Sequence, residues 1–382
     1  MMPIKKKLII ISITIFLIIG LSFSSYSITS IKGGAVEVPA TPAPSGGVYF
    51  AVSGSAKIVK VGVSPLTELS VLTYPAFSIF STLAVDTVNG FLYASKFASA
   101  SPVTIHKIRL SDFTEIATYT LPTCTVIYSA AIDTVNGYVY FGGQGCVLAQ
   151  GQMVKIDLST FTQSAILVFS GSHPAQFMSI DVPNDRLYTT HENPGLDGFV
   201  KLFKFNISGA GIGVPSSVNL AASELGGPVV QDPNADKVYE LRRNTSTVNF
   251  QVVKFTKTTL ARDATLTLDT NSSRGHGGTI DPTANVLYFV RGIGTSIKVY
   301  KVPTSSFTLI STLTMTNANA VLGFGIVIDS LNTFLYTLQP QPTPTTSLVR
   351  EIRLSDFTNS DSLILSVNEV ANQVYPNGVA IQ

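Results

Sequence analysis

Charge is scarce in this 382-residue sequence, where Asp, Glu, Lys and Arg together make up 13%. Nine residues able to carry it nevertheless fall in three neighbouring stretches: His173, His191 and Glu192, then Glu224, Arg242 and Arg243, then Arg274, His276 and Arg291. A guanidinium grips carboxylate or phosphate through two parallel hydrogen bonds. Drawn together, these nine would form a patch or pocket for an anionic group. The stretches Val52–Ala56, Phe141–Gly151 and Leu338–Ser347 carry no charge at all.

Six aspartates form a second series: Asp86, Asp133, Asp181, Asp232, Asp281 and Asp329, spaced 47, 48, 51, 49 and 48 residues apart. Evenly spaced carboxylates could be metal ligands or acid–base groups. Their context points to turns instead. The runs Asp86-Thr87-Val88-Asn89-Gly90 and Asp133-Thr134-Val135-Asn136-Gly137 combine side chains that cap nearby backbone N–H groups with a glycine that accepts positive φ. The two cysteines, Cys124 and Cys146, are too few for a zinc site and are expected to pair as a disulfide. The four histidines are scattered, and His106 reads as structural. No nucleophile elbow, phosphate loop or Cys-x-x-Cys is present. No catalytic residue, metal site or cofactor follows from the motifs.

The elements that must position these residues show in the repetition. After each aspartate comes an apolar–Tyr pair: Leu92-Tyr93, Val139-Tyr140, Leu187-Tyr188, Val238-Tyr239, Leu287-Tyr288 and Leu335-Tyr336. A second signature follows, as in Lys107-Ile108-Arg109-Leu110-Ser111-Asp112-Phe113-Thr114, with counterparts at Lys155–Thr162 and Glu351–Thr358. Alternating apolar residues between turn formers predict four short strands per repeat, A to D. Four strands every forty to fifty residues define a propeller blade. Val48-Tyr49-Phe50 and Lys60–Thr67 supply B and C of a first blade that lacks A, and Gly378–Gln382 reads as the missing A. The expectation is all-β: a seven-bladed β-propeller with four antiparallel strands per blade, closed by pairing of the C-terminal strand with the N-terminal blade. The DA and BC loops of one face would carry the nine charged residues.

The recurring D-x-x-N-x-x-[LV]-Y and K-[IV]-x-L-S-x-F-T patterns resemble the YVTN-type seven-bladed propellers of extracellular and surface-layer proteins, over about residues 47–382. The resemblance implies the fold. The matching residues are scaffold residues, so it implies no activity, although some propellers of similar repeat are lactonases or quinoprotein-like enzymes.

Lys5-Lys6-Lys7, an apolar run from Leu8 to about Phe23, and small residues after it make residues 1–30 a signal peptide or an uncleaved signal anchor. Residues 31–46 form a Pro/Gly/Ala linker and 47–382 the propeller. A net charge of +2, with three of the lysines in the leader, excludes the basic footprint of nucleic-acid binding. Contact with a membrane would come only through the N-terminal segment. These features predict a secreted or cell-surface module that binds protein or glycan without catalysis. The alternative is a secreted hydrolase or lactonase-like enzyme with its site at the channel mouth.

Overall fold

The turn chemistry of the repeat is realised at six blades, those whose A and B strands follow one another in the chain. Asp86 accepts the backbone N–H of Val88 at 3.1 Å and of Asn89 at 2.9 Å, and its other oxygen takes the Asn89 amide at 2.8 Å. Asp133 holds Asn136 in the same way, and Asp181 accepts the Asn184 amide. Gly90 and Gly137 close their turns at φ +74° and +76°, where a side chain would be strained. The aspartate series is therefore turn structure.

The computed structural model describes residues 46–382 apart from 53–55, 64, 76–78, 98–102, 122–123, 146–149, 170–173, 192–198, 222, 271–274, 294–295, 317–324, 330, 332, 341–346 and 367–378. Seven antiparallel sheets arise from them. Blade 2 shows the unit: A, Ile79–Asp86; B, Phe91–Phe97; C, Val103–Arg109; D, Thr114–Leu121. Blade 1 has B, C and D at Gly47–Val52, Lys57–Gly62 and Thr67–Thr73. Its A strand is Val379–Ile381, which pairs Val48 with Ile381 and Phe50 with Val379. The Gln382 N–H closes onto the Gly47 carbonyl at 3.0 Å. The ring is thus a seven-bladed β-propeller closed by the last strand, as the sequence predicts, and closure covers the otherwise open edge of Gly47–Val52.

One three-residue device joins neighbouring blades. The strand-B tyrosine lies opposite a strand-C lysine, as in Tyr49↔Lys60, Tyr93↔Lys107 and Tyr140↔Lys155. The lysine reaches across to a carbonyl of the next blade's CD turn: Lys60 to Leu110 at 3.4 Å, Lys107 to Leu158 at 2.9 Å, Lys155 to Ile207 at 3.3 Å. The tyrosine ring meets the phenylalanine of that turn, with centroids 5.8 Å apart for Tyr49–Phe113 and 5.9 Å for Tyr93–Phe161, Tyr239–Phe307 and Tyr288–Phe357. These phenylalanines sit at φ 48° to 54°, which costs a bulky residue about 1–2 kcal/mol. Burial of the ring between blades returns roughly 1.5–3 kcal/mol. The Phe-Thr signature is therefore an inter-blade wedge. At the closure, Glu351 takes the lysine's place and accepts the Tyr336 hydroxyl at 3.3 Å, and Leu66 stands for the phenylalanine.

Candidate functional site

The seven repeats serve as their own alignment, and the junction between blades 4 and 5 departs from them. Three residues beyond the strand-C lysine, a backbone N–H returns to the AB turn of the same blade. The residues there are Leu110, Leu158, Ile207, Lys257, Thr304 and Leu354. Lys257 is the charged one. It is buried, and its ammonium donates to Asp181 of blade 4 at 2.7 Å and to the Asp232 carbonyl at 2.7 Å. Three residues further on, Leu260 at φ 58° replaces the phenylalanine wedge. Tyr188 therefore meets a smaller side chain there.

The first residue of strand B varies around the ring: Gly47, Phe91, Tyr138, Arg186, Lys237, Val286 and Phe334. Phe91 and Tyr138 lie under the ammonium groups of Lys107 and Lys155, at 4.2 and 3.8 Å from their ring centroids. Blade 4 has Arg186 at that register, since Arg186 pairs with Asn206 as Phe91 pairs with Arg109. Burial, then the nearby guanidinium of Arg186, push the Lys204 pKa below the usual lysine value. A pocket of about 620 Å3 opens on the AB/CD face of this junction. It is lined by Asp181, Asn184, Arg186, Tyr188, Lys204, Pro233, Asn234, Ala235, Asp236, Lys257 and Thr258. Asp236 accepts both the backbone N–H and the hydroxyl of Thr258, at 3.1 and 2.9 Å. None of these lining residues was singled out from the sequence as ligand-binding. The signal was the break of pattern at Lys257, visible once all seven CD turns are aligned.

The same junction holds a second charged layer, and here the expected loop patch is corrected. Arg242 and Arg243 lie within strand B of blade 5, Lys237–Asn244, and Arg291 within strand B of blade 6, Val286–Ile293. Both strands continue past the tyrosine, so Arg242 and Arg291, three residues beyond it, turn into the packed space between blades. They are 1% and 0% exposed. Glu224 belongs to a two-residue strand, Glu224–Leu225, and is buried beside Arg242, with which it forms an ion pair. The Arg242 guanidinium also reaches Glu240 at 3.4 Å and faces the Phe255 ring at 5.6 Å. Arg262 meets Glu224 at 3.3 Å. Burial, with Glu224 adding repulsion and Arg242 opposing both, pushes the Glu240 carboxyl up to about 7. Gly226 fits against this layer because a Cβ there would stand 2.3 Å from the His191 carbonyl.

His191 is buried, and its Nε2 accepts the Lys201 N–H at 2.9 Å. Arg291 packs over the Phe250 ring at 4.4 Å, and burial lowers its pKa. Arg243 is half-buried in its strand, opposite Phe250. His173, Glu192 and Arg274 lie outside the described residues, and of His276 only the backbone, in Gly275–Asp281, is described. The structure thus brings Glu224 and Arg242 together and keeps Arg291 in the next junction. Cys146 also lies outside the described residues; Cys124 opens the strand Cys124–Asp133, opposite Gly145.

At the ring axis, a cavity of about 120 Å3 is lined by strand-A residues and their neighbours, among them Leu83, Ala130, Phe177, Met178, Val229 and Ile326, with glycines between. These side chains are apolar and carry no proton-transfer group.

With this geometry the chain belongs, by fold, among seven-bladed β-propellers. Its fold is similar to that of a Bacteroides uniformis protein described as a 6-phosphogluconolactonase, with TM-score 0.65 and 13% identity over 88% of this chain and 100% of that one. It is similar to Kuenenia stuttgartiensis hydrazine synthase, TM-score 0.60 at 12% identity over 90% and 100% of the two chains. It also resembles the Cps50 (Swd1) β-propeller domain of Myceliophteria thermophila, TM-score 0.57 at 10% identity over 76% and 88%. No family model and no curated protein sequence matches. At such identities the likeness shows the fold alone.

Proposed function

We propose that this is an exported propeller of the YVTN-like kind that works by binding a protein or glycan rather than by catalysis. The observation that carries the reading is the lining of the axial cavity. Leu83, Ala130, Phe177, Met178, Val229 and Ile326 offer neither a general acid nor a nucleophile. Polar and charged groups line a separate pocket between blades 4 and 5, of a size that suits a small ligand.

The rival reading is a secreted hydrolase or lactonase with its site at the channel mouth. The description of the Bacteroides uniformis protein favours it by name, and 13% identity does not carry an activity across. Export is supported by the N-terminal segment and by the register that sets Cys124 opposite Gly145, next in sequence to Cys146. Mass spectrometry of the native protein is expected to find these cysteines joined, and free-thiol labelling of both would remove that support.

The test of function is a screen of the full chain, solubilised from its host, against glycans, envelope proteins and lactones. Saturable binding with no turnover is the expected result. Hydrolysis of a lactone abolished by a substitution at the axial mouth would overturn the reading.

A further inference from the structure

We propose that the pocket between blades 4 and 5 binds a carboxylated sugar, with Arg186 and Lys204 holding the carboxylate and Asp181, Asp236 and Thr258 facing the hydroxyls. This deepens the binding reading and rests on it. Six other junctions are built from the same repeat, and at this one Lys257 stands as a charged residue where the repeat sets Leu110, Leu158, Ile207, Thr304 and Leu354. Arg186 takes the place of the aromatic residues Phe91, Tyr138 and Phe334, and Leu260 that of the phenylalanine wedge, as Leu66 does at the closure. Each change removes apolar volume or adds charge. Arg186 and Lys257 line one cavity, and Leu260 packs in the core beside its Tyr188. For stability alone, any of them is a poor exchange, since replacing packed apolar residues by buried charge is neutral at best.

The chemistry of the lining sets the ligand class. Among the described residues neither Arg186 nor Lys204 has a carboxylate within ion-pair distance. Lys204 spends its ammonium on the carbonyls of Lys257, at 3.2 Å, and Thr258, at 2.5 Å. Arg186 gives one N–H to the Asp185 carbonyl at 3.0 Å and is half-buried, leaving donors of its fork toward the cavity's opening. Two cations at one pocket suit an anion. Blade 5 supplies acceptors beside the Lys204 ammonium: each Asp236 oxygen takes a single bond from Thr258 and keeps a lone pair for a hydroxyl donor. A simple inorganic anion would meet the cations and be repelled by Asp236. A uronate offers a carboxylate to the first and hydroxyls to the second. Lys257, buried and bonded to Asp181, fixes the floor between the two blades.

The experiment is calorimetric titration of the full chain with trigalacturonate, with neutral galactotriose and inorganic phosphate as comparison ligands. Trigalacturonate is expected to bind, and galactotriose and phosphate to bind at least tenfold more weakly. Arg186→Phe, which restores the residue type of Phe91, is expected to leave the melting temperature unchanged or raised and to weaken trigalacturonate binding roughly ten- to a hundredfold. Arg186→Gln, which preserves the polar surface, should show the same loss and guards against misfolding of the first variant. Equal binding of galactotriose would overturn the carboxylate part, and equal binding of phosphate the sugar part. Undiminished trigalacturonate binding in both variants would overturn the site. Should trigalacturonate fail while the screen returns another ligand indifferent to Arg186, this inference falls and the binding reading stands. Should every ligand fail, both fall.

Discussion

Lys257 of blade 5 places its ammonium 2.7 Å from a carboxylate oxygen of Asp181 in blade 4, and both side chains are buried. The aspartate is a turn residue shared by the repeats, whereas the lysine occupies a position that other blades give to Leu110, Leu158 or Leu354. Blade 5 has thus recruited a scaffold carboxylate into an inter-blade contact. Lys257→Ala would leave that carboxylate buried and unpaired, and is expected to cost about 3–5 kcal/mol in denaturant unfolding. The double variant Asp181→Asn with Lys257→Leu is expected to recover most of the loss. An additive double-mutant cycle would show that the two side chains do not interact.

The upper layer of the same junction predicts a pH dependence. Glu240 keeps its proton in the folded chain up to about pH 7, while its ordinary value is 4.5. Between those values the native state binds more protons than the unfolded one, so stability falls as pH rises. The loss is on the order of 3 kcal/mol and is complete above pH 7. Glu240→Gln is expected to flatten this segment, measured as the difference in melting temperature between pH 5 and pH 8. A parallel pH profile in wild type and variant would sink the assignment.

At the inter-blade wedge, the order of two substitutions is diagnostic. Phe161 sits at φ 53° and packs against Tyr93 and Tyr119. Phe161→Ala loses the ring and keeps the strained backbone, costing about 3–5 kcal/mol. Phe161→Gly loses the ring and relieves the strain, so it is expected to be about 1 kcal/mol milder than the alanine variant. Urea unfolding with glycine the worse of the two would mean that the left-handed conformation is not held in solution.

Ring closure rests on three residue pairs between Val379–Ile381 and Gly47–Val52. Deleting residues 379–382 would bare the edge of blade 1 and uncover Tyr49, whose hydroxyl donates to Gln382 at 3.1 Å. A fall in melting temperature of several degrees is expected, with concentration-dependent association through the open edge. Unchanged melting would show that the ring does not depend on this strand.

Much of this protein was determined by its sequence alone. The spacing of Asp86, Asp133 and Asp181, the Tyr registers and the split first blade dictate seven blades and their closure, because turn chemistry and two-residue alternation are local and repeat. The aspartates could be read as turn residues for the same reason. The fate of the scattered charges was decided only by tertiary structure. Arg242 and Arg291 follow their tyrosines by three residues, and whether that register is loop or sheet depends on how far strand B pairs with its neighbours. In the folded ring it is sheet, so both are buried. Arg186 and Lys257 are 71 residues apart in the sequence, on different blades. They line one pocket because the ring sets an AB turn of one blade against the CD turn of the next, a proximity that no local pattern encodes.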